Sequence, residues 1–183
     1  MNAARRLITA IAVALPCGLA FAQPASTPAS AAAAGADRAF ANQAAMGGAA
    51  EVEAGRLAQE KGANAAVKQF GARMVEDHGK AGAELKQIAD AKSITLPNAP
   101  DATHQSAMQR LQKLSGAGFD HAFMQMMVRD HEKVVAAFDK EAKSGKDPEL
   151  KAFAAKTLPT LRTHLQMARE LNTGAGAASA ASR

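Results

Sequence analysis

The amino-acid sequence predicts an all-α protein, a bundle of four long helices with a short extra helix in the middle connection. The first observation is the spacing of apolar residues, which recur with the 3.6-residue period of an α-helix in several long segments. The second is composition: apolar residues make up 48% of the chain and are dominated by alanine, and seven Phe are its only aromatic residues. Alanine favours helices, whereas β-branched and aromatic residues favour strands. The core is therefore expected to form between closely packed helices.

The first 22 residues have the pattern of an export signal. Arg5 and Arg6 precede an apolar run over residues 7–15, and residues 20–22 read Ala-Phe-Ala, a small-x-small cleavage site. We therefore expect residues 1–22 to be a signal peptide and the protein to be periplasmic, with outer-membrane association as a narrower option. The apolar run is shorter than the roughly 20 residues of a membrane span. No later stretch approaches that length, so no membrane span is expected.

Two low-complexity segments flank the predicted domain. Residues 23–36 are rich in Pro, Ala, Ser and Gly and carry no charge, which is the composition of a disordered linker. Residues 173–183 are similar and are expected to form a disordered tail. This leaves residues 37–172 as one helical bundle domain, a normal size for a single core.

Cap and breaker residues delimit the first two long helices. Asp37 can cap a helix that runs to about Lys61 and ends at Gly62, and Asn64 can cap a second helix that reaches about Lys92. The inward stripe of the second helix consists of Val67, Phe70, Met74, Ala81, Leu85 and Ile88.

The middle connection contains Pro97 and Pro100, which exclude a continuous helix between Ser93 and Asp101. A short helix is predicted from Asp101 to Leu114, where residues 115–118 (Ser-Gly-Ala-Gly) stop it.

The third long helix is predicted from about Phe119 to Lys143. The fourth begins at Asp147-Pro148-Glu149, a capping carboxylate followed by proline at the first helical position, and Pro159 is expected to bend it. The short links between helices one and two, and between the last two long helices, predict two antiparallel hairpins.

A repeated turn places polar side chains toward the interior. Residues 74–78 read Met-Val-Glu-Asp-His, and residues 127–131 read Met-Val-Arg-Asp-His. With the methionine at the centre of the apolar stripe, the histidine lies about 40° to one side and the aspartate about 60° to the other. His164 lies about 60° from Leu161 in the last helix. All three histidines can therefore reach the bundle interior, whereas His104 and His121 are expected at the surface.

These residues predict a candidate mononuclear metal site. Its ligands would be His78, His131 and His164, with Glu51 of the first helix as a carboxylate. At 1.5 Å per residue, Glu51 and His78 lie about 17 Å and 22 Å along their helices from the turn that joins them, so their heights in the bundle are comparable. Asp77 and Asp130 are further candidates, either as ligands or as groups that orient the histidines. Imidazole and carboxylate ligands suit Zn, Fe, Mn or Cu.

Two other interpretations use the same residues. In the first, the Asp and His side chains hydrogen-bond across helices and form a polar core without any ion. The protein would then be an envelope interaction module or a stress-related structural module, with an envelope protein as its partner. In the second, the thioethers of Met74, Met127 and Met167, each about one turn from a histidine, help to hold Cu(I) or haem.

Other function classes have little support. The basic residues, which give a net charge of +5, are interspersed with acids and lack aromatic platforms for bases, so nucleic-acid binding is not expected. Cys17, the only cysteine, lies in the predicted signal peptide. The sequence has no Gly-x-Ser-x-Gly elbow and no glycine-rich phosphate loop. The sequence thus favours a non-enzymatic binding or structural module.

The sequence also resembles a family of exported bacterial proteins that carry the domain of unknown function 4142, grouped with ferritin-like four-helix bundles and often labelled outer membrane protein. The resemblance covers about residues 37–172, and the family has no established activity to carry over. The matching motifs are Gly47-Gly48, Glu51-Val52, Gly55, Val67-Lys68, Phe70, the two Met-Val-x-Asp-His turns, Leu96-Pro97, Phe119-Asp120 and Leu158-Pro159-x-Leu161-x-x-His164-Leu165. The resemblance implies a ferritin-like bundle. Ferritin-like di-iron sites, however, use two Glu-x-x-His motifs, and this sequence has none, so di-iron chemistry is not expected.

Overall fold

Five α-helices make up the described part of the chain, residues 28–181 of a computed structural model, with side chains described for residues 35–174. They are α1 (Pro28–Lys61), α2 (Ala65–Ala91), α3 (Ala102–Gln112), α4 (Gly116–Ser144) and α5 (Pro148–Ala181). No strand occurs within residues 28–181. Four helices are long and α3 lies in the middle connection, so the predicted all-α four-helix bundle with a short extra helix is confirmed.

The bundle consists of two helical hairpins. Helix α1 packs most extensively on α2, and α4 packs most extensively on α5. Contacts of α1 with α4 and of α2 with α5 join the hairpins. Within residues 28–181, no helix is long and apolar enough to cross a membrane.

Side-chain caps begin three of the helices, and two of these caps, Asn64 and Asp147, were predicted. The Asn64 side chain accepts a hydrogen bond from the backbone N–H of Ala66 at the start of α2. Asp101 accepts from His104 in α3, and Asp147 accepts from the first turn of α5. These bonds satisfy backbone donors that have no partner inside the helix.

The helix boundaries differ from the prediction at three places. Helix α1 begins at Pro28, so much of the predicted linker over residues 23–36 is helical, and Asp37 is not its cap. Helix α5 continues to Ala181 through most of the predicted tail over residues 173–183. Both segments are rich in alanine, whose high helix propensity outweighs the lack of an apolar stripe, and Pro28 suits a first helical turn. The predicted signal peptide, residues 1–22, lies outside the described residues.

The third difference is the start of α4, which is at Gly116 rather than Phe119. Ser115 is the N-cap residue, and Gly116 follows with a φ of 59°. Glycine has no Cβ and therefore adopts this conformation without strain. The Ser-Gly-Ala-Gly stretch thus starts a helix instead of only ending one.

Two apolar clusters fill the bundle, and a polar layer separates them. Along α2, His78 lies between Met74 of one cluster and Leu85 of the other. The first cluster is built around Phe70, Phe119, Phe123 and Met127, and the second around Phe40, Phe138, Leu150, Phe153 and Leu161. The fold therefore places the histidines at the boundary between two apolar regions.

Each hairpin turn is held by a buried aspartate of the other hairpin. Asp120 of α4 accepts hydrogen bonds from the backbone N–H groups of Ala63 and Asn64, at 3.1 and 2.8 Å. Asp37 of α1 accepts from those of Lys146 and Asp147, at 3.1 and 2.6 Å. The two hairpins are thus docked by equivalent contacts at their opposite ends.

The equivalence extends to an internal repeat at an offset of 83 residues. Asp37 corresponds in this register to Asp120, and Asn64 to Asp147. Phe40 and Phe123, Gly62 and Gly145, and Phe70 and Phe153 are further pairs. The hairpin α1–α2 therefore matches the hairpin α4–α5, whereas the Met-Val-x-Asp-His repeat relates α2 to α4.

The spacing between α1 and α2 changes along the hairpin. A methyl group placed on Gly55 would lie 2.5 Å from the carbonyl oxygen of Gly71, so the two backbones are in close contact near the turn. The same group on Gly48, Gly79 or Gly82 would meet nothing within 4 Å. The two helices therefore leave open space beside these three glycines, farther from the turn.

Glu141 is expected to destabilise the folded state at neutral pH. Burial, together with the charges of Asp37 and Asp147, raises its pKa above the ordinary value of 4.5, and its Oε1 has no hydrogen-bond partner among the described residues. The folded state binds this proton more tightly than the unfolded state, so the contribution of Glu141 to stability is most favourable below pH 4.5 and is lost as the pH rises through its folded-state pKa.

Glu141→Gln is accordingly expected to stabilise the protein by about 1 kcal/mol at pH 7, with the difference disappearing near pH 4. Urea denaturation at the two pH values measures this difference. Glu76→Gln, at an exposed position of α2, is the matched control. A Glu141→Gln effect that is the same at both pH values would contradict the assignment.

Candidate metal centre

Three histidines from three helices meet in the polar layer. His78 of α2, His131 of α4 and His164 of α5 are 7%, 0% and 1% exposed. Their ring centroids are 5.4 to 5.6 Å apart, and one ring nitrogen of each lies within 4.8 Å of those of the other two. The prediction that these side chains point into the bundle at one level is confirmed.

The helical phase brings these rings together. His78 and His131 follow the buried Met74 and Met127 by four residues, so each stays close to the inward stripe of its helix. His164 follows the buried Leu161 by three residues, and its ring contacts the edge of Phe70.

Each ring has a polar neighbour at one nitrogen only. His131 Nδ1 lies 3.0 Å from the carbonyl oxygen of Met127, and His164 Nε2 lies 2.9 Å from Asp77 Oδ2. His78 Nδ1 lies 3.1 Å from Glu51 Oε2. The other nitrogens, His78 Nε2, His131 Nε2 and His164 Nδ1, are buried and have no hydrogen-bond partner among the described residues.

These contacts determine the tautomers. A neutral imidazole carries its proton on one nitrogen and a lone pair on the other. The carbonyl oxygen of Met127 and the carboxylate of Asp77 accept, so the protons lie on His131 Nδ1 and His164 Nε2. The lone pairs are therefore on the two nitrogens without partners, the state in which histidine binds a metal.

Burial keeps the histidines neutral. It lowers the pKa of His78 well below 6.5, and the neighbouring His131 and His164 lower it further. Burial lowers the pKa of His131 to about 4, with a contribution from His164. Burial also lowers the pKa of His164, although the hydrogen bond to Asp77 opposes this effect.

Glu51 connects two of the rings and is itself buried. Its Oε1 lies 3.3 Å from His131 Nδ1, in addition to the contact of its Oε2 with His78. Burial raises the pKa of Glu51 to about 8, and the charge of Asp130 adds to this effect. The raised pKa favours the neutral form of Glu51 in the metal-free protein.

Asp77 and Asp130 differ although their motifs match. Asp77 orients His164, but Asp130 makes no hydrogen bond to any histidine of the cluster. Its contacts include Lys133 at 3.8 Å, and the neighbouring charges include His104 and Asp101 at the start of α3. Asp130 thus faces the short helix rather than the bundle axis, and its expected role at the centre is not supported by the geometry.

The remaining histidines bond to other residues, and the methionines of the Cu(I) or haem interpretation belong to the first apolar cluster or pack against it. His104 and His121 are partly exposed; His104 contacts Asp101, and His121 bonds to Gln125. Met74 and Met127 are part of the first apolar cluster. The structure therefore brings together Glu51, Asp77 and the three buried histidines.

Comparison with known proteins is consistent with this fold. The profile of the family described as "Domain of unknown function (DUF4142)" matches residues 22–171, most of the chain. The chain belongs to this family. The crystal structure of a conserved hypothetical protein, rv2844, from Mycobacterium tuberculosis is similar to this DUF4142 protein, with a TM-score of 0.62 and 17% sequence identity over 77% of this chain and 93% of that chain. At this identity the likeness shows the fold alone. No curated protein matches the sequence.

Sequence reasoning missed the residues that position the centre of this DUF4142 protein. Asp37 and Asp120 dock the two hairpins, whereas the sequence pattern predicts Asp37 only as a helix cap and gives Asp120 only as part of a family motif. The signal was present in the repeat at an offset of 83 residues, which pairs these two aspartates.

Proposed function

We propose that this DUF4142 protein is an exported, periplasmic, non-enzymatic module that binds one transition-metal ion between His78, His131 and His164. The observation that carries the proposal is the set of three buried ring nitrogens without partners on three different helices. A buried polar atom without a hydrogen bond costs about 1–3 kcal/mol. One ion bound by all three nitrogens would remove this cost.

The donor set suits Zn, Fe, Mn or Cu. Three neutral imidazoles bind any of these ions. Glu51, whose oxygens contact His78 Nδ1 and His131 Nδ1, would act as an outer partner that orients these two rings and not as a direct ligand. Zinc accepts three histidines with one further ligand. Asp77 would act as the outer partner of His164, fixing its ring orientation and raising its basicity.

Metal analysis of protein purified without a His tag tests the proposal, together with melting temperatures in the presence of each ion. With an ion at 100 times its dissociation constant, binding stabilises the fold by about 2.7 kcal/mol. For a domain of this size we expect a rise of about 5–10 °C in melting temperature.

The double variant His78→Ala, His131→Ala is expected to lose both the bound metal and the rise in melting temperature. The double variant His104→Ala, His121→Ala is its matched control, because it removes two histidines outside the cluster. If the wild-type protein holds no stoichiometric metal and its melting temperature does not change when any of the four ions is added, the metal proposal is wrong.

A second candidate is a structural envelope module in which the cluster is a polar core. The contacts of Glu51 with His78 and His131, and the hydrogen bond of His164 to Asp77, favour it because they need no ion. A protein that binds no metal but is strongly destabilised by replacing His131 would support this candidate.

The export part of the proposal is supported by the charged, apolar and small-residue pattern of residues 1–22. N-terminal sequencing of the protein from a periplasmic extract tests it, with a start at Gln23 as the expected result.

A further inference from the structure

The two hairpin turns are docked by equivalent backbone contacts. Asp120 accepts hydrogen bonds from the N–H groups of residues 63 and 64, and Asp37 accepts from those of residues 146 and 147. We refer to these contacts as the first dock and the second dock. The two aspartates are 3% and 5% exposed, so both docks are buried. Any difference in how the docks behave must therefore come from the side chains around them.

The second dock has two acidic side chains that its counterpart lacks. At the offset of 83 residues, Glu141 corresponds to Ala58, and Asp147 corresponds to Asn64. The second dock thus contains three carboxylates, whereas the same positions of the first dock hold one carboxylate, a methyl group and a neutral amide. The internal repeat therefore supplies a natural reference for the effect of the two extra acids.

The Glu141 carboxyl group lies inside the second dock with an unsatisfied oxygen. Its side chain is buried, and its Oε1 has no hydrogen-bond partner among the described residues. A methyl group placed on Gly145 would lie 2.5 Å from this oxygen, so the carboxyl group lies directly against the turn. The next two residues of the turn donate to Asp37. Two carboxyl groups therefore approach the same short segment, and they repel each other when both are ionised.

Charged groups of three helices act on Glu141. Burial raises its pKa, the charges of Asp37 in α1 and Asp147 at the start of α5 raise it further, and Lys140 of α4 and Lys151 of α5 oppose this effect. Lys92 pairs with Asp147 and Glu149. Burial and the two aspartates act on Glu141 only while the turn is docked. Docking therefore favours uptake of a proton by Glu141, and undocking favours its release.

From this geometry we infer that the second dock is a pH-dependent latch, closed when Glu141 is protonated and loosened when Glu141 is ionised. The neutral carboxyl group does not repel Asp37 and costs less to bury. When it is ionised, separation of α1 from the turn lets water reach the charge. The first dock has no equivalent proton site, so it stays closed over the same pH range. This inference is independent of the proposed metal site.

Hydrogen–deuterium exchange of the full-length protein tests the inference, because each dock has its own N–H groups. Protection from exchange, corrected for the direct effect of pH on the exchange reaction, measures local opening. From pH 5 to pH 8 we expect the protection of Lys146 and Asp147 to fall relative to that of Ala63 and Asn64. The loss should be up to about tenfold for each unit by which the pKa of Glu141 is raised.

Two variants remove the proton site. Glu141→Gln keeps the shape of the side chain but cannot ionise, and Glu141→Ala copies the residue at the same position of the first dock. In both, the second dock should be equally protected at pH 5 and pH 8. Glu132→Gln is the matched control, because Glu132 is an exposed acid of the same helix that pairs with Arg169, and it should keep the pH dependence of the wild type. Protection at the first dock shows that each variant is folded.

Three results would overturn the latch. If protection falls equally at both docks of the wild type, the opening is not controlled locally by Glu141. If the second dock of Glu141→Gln still loosens as the pH rises, another group is responsible. If protection at the second dock is constant or increases with pH in the wild type, the proposed direction is wrong.

Discussion

Replacing His131 by leucine is expected to abolish metal-dependent stabilisation and to raise the stability of the metal-free protein by about 1 kcal/mol. His131 is fully buried, burial lowers its pKa, and its Nε2 has no partner among the described residues. Leucine carries no polar atom, and the contact that it removes between His131 Nδ1 and Glu51 Oε1, at 3.3 Å, is longer than an ordinary hydrogen bond. The ring's hydrogen bond to Met127 lies within one turn of α4, so its loss should cost little.

Urea denaturation with EDTA and with zinc measures both effects. Met127→Leu is the matched control, because Met127 is equally buried one turn earlier in α4 and is not a ligand of the proposed three-histidine zinc site. This volume-conserving change should cost less than about 1.5 kcal/mol and should leave the zinc effect intact. Metal-free His131→Leu that is several kcal/mol less stable than wild type would instead indicate that the histidine cluster is a structural polar core.

His131→Leu is expected to lower the free energy of unfolding when metal is present and to raise it when metal is absent. This difference distinguishes the two interpretations of the cluster. A hydrogen-bonded polar core loses stability in both conditions when one member is removed. A metal site loses stability only where metal is present, because without the ion its lone pairs are desolvated and unpaired.

Helical phase made most of the fold and the inward histidines predictable. Asn64, Asp101 and Asp147 cap helices because their short polar side chains reach free backbone donors. His78 and His131 face the axis because they lie four residues after buried methionines. These are local properties of the sequence, and the number of residues from each turn also gives the height of a side chain in the bundle.

The contacts of individual side chains were less predictable. Asp77 and Asp130 occupy the same place in matching motifs, yet only Asp77 reaches a cluster histidine, because Asp130 lies beside α3. The position of that short helix depends on tertiary packing and not on the motif. The helical extensions at Pro28 and Ala181 reflect alanine propensity, which the linker-like composition obscured.

The open space between α1 and α2 likewise could be found only from the structure. The glycines of α1 and α2 all suggest close helix packing, but only Gly55 and Gly71 are in close backbone contact. The sequence contains no local difference between these two and Gly48. The distinction follows from the distance between the helices, which increases away from the turn.

Asp120→Ala is expected to lower the free energy of unfolding by about 2–3 kcal/mol. The buried carboxylate accepts hydrogen bonds from the backbone N–H groups of Ala63 and Asn64, which have no other acceptor among the contacts described for them. Hydrogen bonds to a charged acceptor are worth more than neutral ones, about 1.5–3 kcal/mol. Asp37→Ala should cost a similar amount because Asp37 makes the equivalent contacts with the other turn.

Chemical denaturation of the two variants, each alongside Asp90→Ala, measures these costs. Asp90 pairs with Lys86 at the exposed surface of α2, so its loss should change stability by less than about 1 kcal/mol. Because Asp120 docks α4 against the α1–α2 turn, the variant should also weaken zinc binding by misplacing His131 relative to His78, whereas Asp90→Ala should leave zinc binding unchanged. An Asp120→Ala protein as stable as Asp90→Ala would mean that apolar packing alone docks the hairpins, and the metal ligands would then be positioned without the aspartate contacts.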